Sequence, residues 1–275
     1  MIFVRDKGQM CNNIFQYMHV CALALENGRS VMSMRFAYKY QYFHICDTSY
    51  HNYVFYLLGK FLSWTKLIPT ITYGFDLTPA IFQTNEKRLL SNRHALVEGW
   101  SVRYFPLLFK HLDEMKRLFE FKAEISDKVR RYISGHNGGV RIGVHIRRGD
   151  YATWNNGRFF FDDKVFVEKI RQLASLLGDS KITVYICGND PGLNKDYYIK
   201  ELKDMKVCFP DGNPGEDLCL LSQCDYLIGP PSSFSLMATF YDKAKLYWLG
   251  LNEDMRLEDF HDFAYWSVRM DAAMG

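Results

Sequence analysis

A chain of 275 residues with 48% hydrophobic and 24% charged residues can fill one large core or two ordinary ones, which excludes a disordered or collagen-like chain. The net charge of +3 is uneven: residues 1–139 hold 18 Lys/Arg against 11 Asp/Glu, residues 140–275 hold 16 against 20. Seven cysteines, odd in number and without C-x-x-C, argue against a disulfide framework or a zinc site, and no apolar run is long enough to span a bilayer.

The opening MIFVRDKGQ reads as a strand followed by a turn. It lacks the basic segment and long apolar core of a secretion signal, so a cytoplasmic location is expected, with at most peripheral association with a membrane. NNIFQYMHVCALALENG follows as a helix: Ile14, Tyr17, Met18, Cys21 and Leu25 keep a helical period, and Gly28 lies just past its end. SVMSMRF is a second strand. The tract from Phe36 to Trp64 is rich in aromatic rings and keeps neither period; core and rim is one reading, a platform for a sugar ring the other. HALVEGW is a strand, and residues 106–134 read as helical. The glycines and asparagine of SGHNGGV, residues 134–140, mark a domain boundary.

Beyond that boundary the alternation is regular. VRIGVHI, KITVYIC, VCF, YLIG and KLYWLG read as strands, separated by helical stretches near 163–177, 193–204, GEDLCLLSQ and SSFSLMATFY. The expected fold class is α/β, with two Rossmann-like domains facing one another, residues 1–136 and residues 137–250. Residues 251–275 form a tail that packs back on the first domain.

VRIGVHIRRGDY, residues 140–151, ends a strand on two permanent charges. Alternation puts His145 and Arg147 on one face and Ile146 on the other. An ion pair with Asp150 is the ordinary reading of such an arginine. Three features favour phosphate instead: the pair sits where an α/β sheet places its ligand, Gly149 permits close approach, and guanidinium forks match phosphate. The acidic character of this half argues against a nucleic-acid face.

The H-x-R-R-x-D pattern after a strand resembles the donor-binding motif of the α-1,2-, α-1,6- and protein O-fucosyltransferases, and GVHIRRGDY is especially similar to the bacterial α-1,2 form. Three further stretches resemble the family in the same order. GQMCNNIFQY resembles its G-G-L-G-N-Q-M-F-Q-Y at Gly8, Asn12, Phe15, Gln16 and Tyr17. VYICGNDP resembles its strand ending in Asn189 and Asp190. EDLCLLSQCDYLIGPPSSFSLMA resembles its E-D-x-x-L-M-S-x-C followed by N-S-S-F-S-W-W.

The resemblance implies a two-Rossmann-domain (GT-B-type) glycosyltransferase that transfers fucose from GDP-fucose to a glycan acceptor. It implies Arg147 on the donor's β-phosphate, with Arg148 supporting the site by pairing with Asp150; these three form the expected catalytic group. Asp217 would meet the guanine edge, Asn189 and Asp190 the nucleoside, and Ser232 and Ser233 the phosphates. His145 and Phe234 complete the donor site, and Asn12 reaches it from the first domain, in the loop built by Gly8, Phe15 and Gln16. The chain contains no D-x-D, so arginine charge is expected to replace a metal ion, and no other cofactor is expected. The chain departs from the family pattern at Gln9 and Cys11, at Pro230-Pro231 and at Leu236-Met237, and YATWNNGRF offers no carboxylate as a general base. Another nucleotide-sugar donor, or a binding protein that lost catalysis, are the competing readings.

Overall fold

Parallel strand pairing organises both halves of the chain. The computed structural model describes residues 1–5, 7–75, 77–136, 138–188, 190–250 and 254–274. These form two compact units, Met1–Lys122 and Ala123–Gly275.

The first unit runs β1 (Ile2–Arg5), α1 (Met10–Glu26), β2 (Val31–Ser33), α2 (Tyr53–Trp64), β3 (Thr70–Thr72), α3 (Pro79–Ser91), β4 (Ala95–Glu98), α4 (Phe105–Lys110) and α5 (Leu112–Leu118). Its sheet has the order β2-β1-β4-β3, all parallel. β3 and α3 have no counterpart among the expected elements. A three-residue strand is too short to display alternation, and α3 buries only Leu89. In the aromatic tract Phe36 and Phe43 are fully buried, packing edge-on against Phe119 with ring centroids 5.4 and 5.8 Å away. For these rings the core reading holds.

The second unit runs α6 (Ala123–Ser134), β5 (Val140–Ile146), α7 (Asp163–Leu176), β6 (Ile182–Gly188), α8 (Lys195–Glu201), β7 (Lys206–Cys208), α9 (Pro214–Ser222), β8 (Tyr226–Gly229), α10 (Ser233–Thr239), β9 (Lys245–Trp248), α11 (Phe263–Ser267) and α12 (Met270–Met274). The strand order β7-β6-β5-β8-β9, all parallel, is that of a doubly wound sheet. Ile142, Val144 and Ile146 of β5 enter the core built with Phe166, Ile170 and Leu173 of α7. Gly143 points the other way, and a Cβ there would come within 2.5 Å of Leu227 and 2.8 Å of Leu221. That face of β5 lies against the α9 side.

Two expectations about domain organisation are corrected. The division falls before α6, not within the glycine-rich break, because α6 buries Ile125, Val129 and Ile133 and its Lys128 reaches Glu216 of α9 at 2.7 Å. The tail belongs to the second unit as well. Its His261 exchanges two backbone hydrogen bonds with Leu246 of β9, and Trp266 donates to the Leu246 carbonyl at 2.7 Å while packing 4.2 Å from Trp248. The tail thereby covers an edge strand that would otherwise present open backbone groups.

Gly188 closes β6 where the sheet meets the arginine loop, and a Cβ there would lie 2.4 Å from the Ile146 carbonyl oxygen. Gly188→Ala is expected to cost about 1–3 kcal/mol, since backbone cannot yield as a side chain does. The denaturant midpoint measures it.

Candidate functional site

In the second unit β5 and β8 are the neighbours at which the strand order reverses, and ligands of such sheets sit outside the carboxyl ends of the strands there. Arg147 and Arg148 directly follow β5, and Pro230–Ser233 directly follow β8. Tyr151 joins the two loops: its buried hydroxyl donates to the Pro231 carbonyl at 2.6 Å. Proline lacks the amide N–H but keeps its carbonyl, so Pro231 can accept this bond.

His145 lies on the α10 face of β5. Its Nδ1 is 2.8 Å from the Ser235 hydroxyl, and its ring stacks on Phe234 at 4.8 Å. Burial, and then the charge of Arg147, push its pKa down to about 3, so the imidazole is neutral throughout the working range. Arg147 gives Nε and Nη2 to the two oxygens of Asp150 at 3.2 and 2.8 Å, and its guanidinium lies 4.6 Å above the Tyr151 ring. The Arg147 hydrogen bonds hold the Asp150 carboxyl below its usual range.

The expected pairing of Arg148 with Asp150 is therefore corrected: Arg147 takes that carboxylate, and Arg148 turns away from it. Its Nη1 reaches Asp190 at 3.0 Å, Nη2 reaches Asp163 at 2.5 Å, and Nε reaches the Phe161 carbonyl at 3.1 Å. Asp163 accepts from Tyr198 too, at 2.8 Å, and the second oxygen of Asp190 takes the Gly192 amide at 2.8 Å. The physical reason is that β5 has already ended at Ile146, and Asp163 and Asp190 enclose the Arg148 guanidinium from two other segments of the chain. Asp190, expected at the nucleoside, has both oxygens engaged inside the protein. Its expected companion Asn189 lies outside the described residues.

Asp217 stands in the first turn of α9, a helix started by an Asn213–Glu216 capping box. Burial, reinforced by Glu216 and Asp211, pushes its pKa up to about 7. One oxygen, Oδ1, is buried with no hydrogen-bond partner. A Cβ on Gly212 would come within 2.8 Å of that oxygen, so glycine keeps the space beside it open. Burial, and then the Asp217 carboxylate, push the Cys187 thiol well above its usual range, and Cys187 is the in-register neighbour of His145 across β5 and β6. His145, Cys187 and Asp217 thus follow one another along one side of the sheet at its carboxyl end.

Ser232 is buried and caps α10, accepting from the Phe234 amide at 3.2 Å; Ser233 is 5% exposed. Both expected phosphate contacts therefore sit beneath the surface of the loop. In the first unit the residues after β1 build a loop. Gly8 has φ +85°, and a Cβ there would lie 2.4 Å from the Asn12 amide nitrogen. Gln16 donates to the Lys7 carbonyl at 2.8 Å, and Phe15 is fully buried 4.8 Å beneath the Arg103 guanidinium. Asn13, which no sequence signal singled out, donates to the Gln9 carbonyl at 2.9 Å, and its own Oδ1 is buried without a partner. Asp163, Tyr198, Cys187 and Ser235 were equally missed, because each is recognised only by its neighbour in space. Among the described residues no group of three or more His, Cys, Asp or Glu side chains could hold a metal ion, and no helix is long and apolar enough to cross a membrane.

No protein-family model matches the chain, and no curated protein matches it in sequence. Solved structures match it in fold. A point mutant of Arabidopsis thaliana FUT1 in complex with GDP gives a TM-score of 0.62 at 12% identity, over 95% of this chain and 73% of that one. POFUT1 in complex with GDP-fucose gives 0.58 at 12% identity, over 91% of this chain and 98% of that one. Fucosyltransferase NodZ from Bradyrhizobium gives 0.55 at 11% identity, over 93% and 97%. At these identities the shared property is the fold, an α/β architecture with two parallel sheets.

Proposed function

We propose that this chain is a fucosyltransferase that moves fucose from GDP-fucose to a glycan hydroxyl, with inversion at the anomeric carbon and without a metal ion. The linkage is α-1,2, to galactose. The observation that carries the reading is the unpartnered buried oxygen of Asp217 at the carboxyl edge of the second sheet. A carboxylate is acceptor-only, and the guanine edge offers two adjacent N–H donors that match it. Adenine and uracil do not present that pair. The four ordered motifs, the fold shared with GDP- and GDP-fucose-bound structures, and Arg147 at the end of β5 support the same donor.

Departure of GDP develops negative charge on its β-phosphate, and Arg147 is the cation placed to meet it. Arg148, enclosed by Asp163 and Asp190, holds the loop instead of touching the donor. Asp150 is kept ionised by Arg147, which suits it to orient the guanidinium and makes it a weak acceptor for a hydroxyl proton. Bond breaking to GDP accordingly runs ahead of proton transfer, with oxocarbenium character at the sugar.

Calorimetry with GDP, ADP and UDP tests the donor. GDP is expected to bind tightest, and Asp217→Asn to remove the preference. Equal affinity for UDP would sink the reading. The pH dependence has a definite sign. The ligand-free carboxyl titrates near 7 and the guanine donors require its ionised form, so GDP affinity is expected to fall by about tenfold per pH unit below that pKa. The raised pKa means that the folded state disfavours the carboxylate, so Asp217→Asn should raise the melting temperature of the ligand-free protein most above pH 7. A transfer screen over galactosides, reading the linkage from the product, tests the acceptor.

A further inference from the structure

We propose that the outer face of α2 docks this protein on an anionic membrane surface. α2 is apolar nearly all round, with Lys60 its only charged residue. Its inner face is accounted for. Phe55 and Leu62 pack on the cluster of Phe3, Met32 and Leu96, and at Gly59 a Cβ would come within 2.6 Å of the Phe3 ring. The opposite face is not covered. Tyr53, Val54, Leu57, Leu58, Phe61 and Trp64 all lie open, with Val54 73%, Phe61 54% and Trp64 79% exposed. At helical pitch these six fall within an arc of about 140°, wider than the stripe that normally seats a helix on a core. A contiguous exposed apolar face of this kind marks an interaction surface.

Charge selects the occupant. From Asp47 to Asp76 the chain has no carboxylate between them, while Lys60 and Lys66 fall inside that interval. Along the Lys60 edge of the stripe opens a cavity of about 520 Å³ whose lining includes Arg5, Arg35, Lys60, Tyr38, Tyr56 and Trp64. Arg5 is tied to Glu98 at 3.2 Å and to Ser63 at 2.7 Å. Arg35 and Lys60 form no ion pair among the described residues. An apolar helical face edged by cations, with Tyr53 and Trp64 at its two ends, is the pattern of a helix lying in the lipid interface. Phosphate headgroups complement the cations of the cavity. A second copy joined by a two-fold axis would instead bring the same cations together.

Co-sedimentation of the whole chain with vesicles tests it, using phosphatidylcholine alone and an equal mixture with phosphatidylglycerol. Binding is expected to the anionic vesicles and to weaken with salt. The double variant Phe61→Ser, Trp64→Ser should weaken it by about tenfold or more, through lost apolar burial. Lys60→Glu should weaken it by about fivefold or more on the anionic vesicles. Both substitutions lie on open surface, so thermal melts should match the unaltered chain. The proposal is overturned if the unaltered chain stays in the supernatant with anionic vesicles, or if the double variant pellets like it. It is also overturned if the chain is dimeric without lipid and the double variant is monomeric, which would make the face an interface between copies.

Discussion

Arg147→Ala is expected to lower GDP affinity and fucosyl transfer together, by about 10²–10³-fold, the loss typical of one preorganised group facing developing charge. Stability should barely change. The carboxylate that Arg147 holds, Asp150, is 61% exposed, and ion pairs with so open a member contribute only about 0–1 kcal/mol. Calorimetry with GDP and a thermal melt, run on the same preparation, separate the two effects. Normal GDP binding by this variant would show that another group carries the phosphate. A collapse in melting temperature would make Arg147 a structural residue.

Arg148→Ala is expected to do the reverse. Its side chain is 13% exposed, between Asp163 at 20% and Asp190 at 18%. Removing the guanidinium leaves two half-buried carboxylates with no cation and the Phe161 carbonyl with no donor. Breaking such a pair costs about 3–5 kcal/mol, which lowers the melting temperature by roughly 10 °C in a chain of this size. Arg148→Lys should recover only part of it, since an ammonium cannot span three acceptors in one plane. Thermal and denaturant unfolding report the result. Unchanged stability would mean that the Asp163–Arg148–Asp190 cluster is dispensable for folding, and would return Arg148 to the candidates for donor contact.

Two adjacent arginines of identical chemistry are thus assigned opposite duties, and their carboxylate partners, Asp150 for one and Asp163 with Asp190 for the other, are what divides them. His145 follows the same logic. It stands two residues before Arg147, and burial, then the charge of that arginine, keep it neutral. A protonated imidazole there would repel the guanidinium. A neutral one can stand next to it and hydrogen-bond Ser235.

Some of this architecture is written locally in the chain. The alternation from VRIGVHI to KLYWLG, the helix after MIFVRD and the strand HALVEGW were legible because each depends on residues two to four positions apart, which is the range over which strand and helix periods act. The candidate site was legible to the same extent. Arg147 could be named because a parallel α/β sheet puts its ligand beyond the strand ends, whereas His145 and Asp217 were named through the resemblance of the motifs.

What the tertiary structure alone decided is partnership. Asp150 stands three residues from Arg147 and two from Arg148, and nothing in that spacing says which it holds. The choice was made by Asp163 and Asp190, brought to Arg148 from 15 and 42 residues away. The membership of α6 and of the tail was decided in the same manner, by Glu216 and by the open edge of β9. In α2 the sequence displays an apolar stretch but neither its helical period nor which side of it is buried; Phe3, Met32 and Leu96 settle that by packing against one face and leaving the other bare. Local period determines where an element lies and which way its residues alternate, whereas burial and pairing depend on neighbours that only the folded chain assembles.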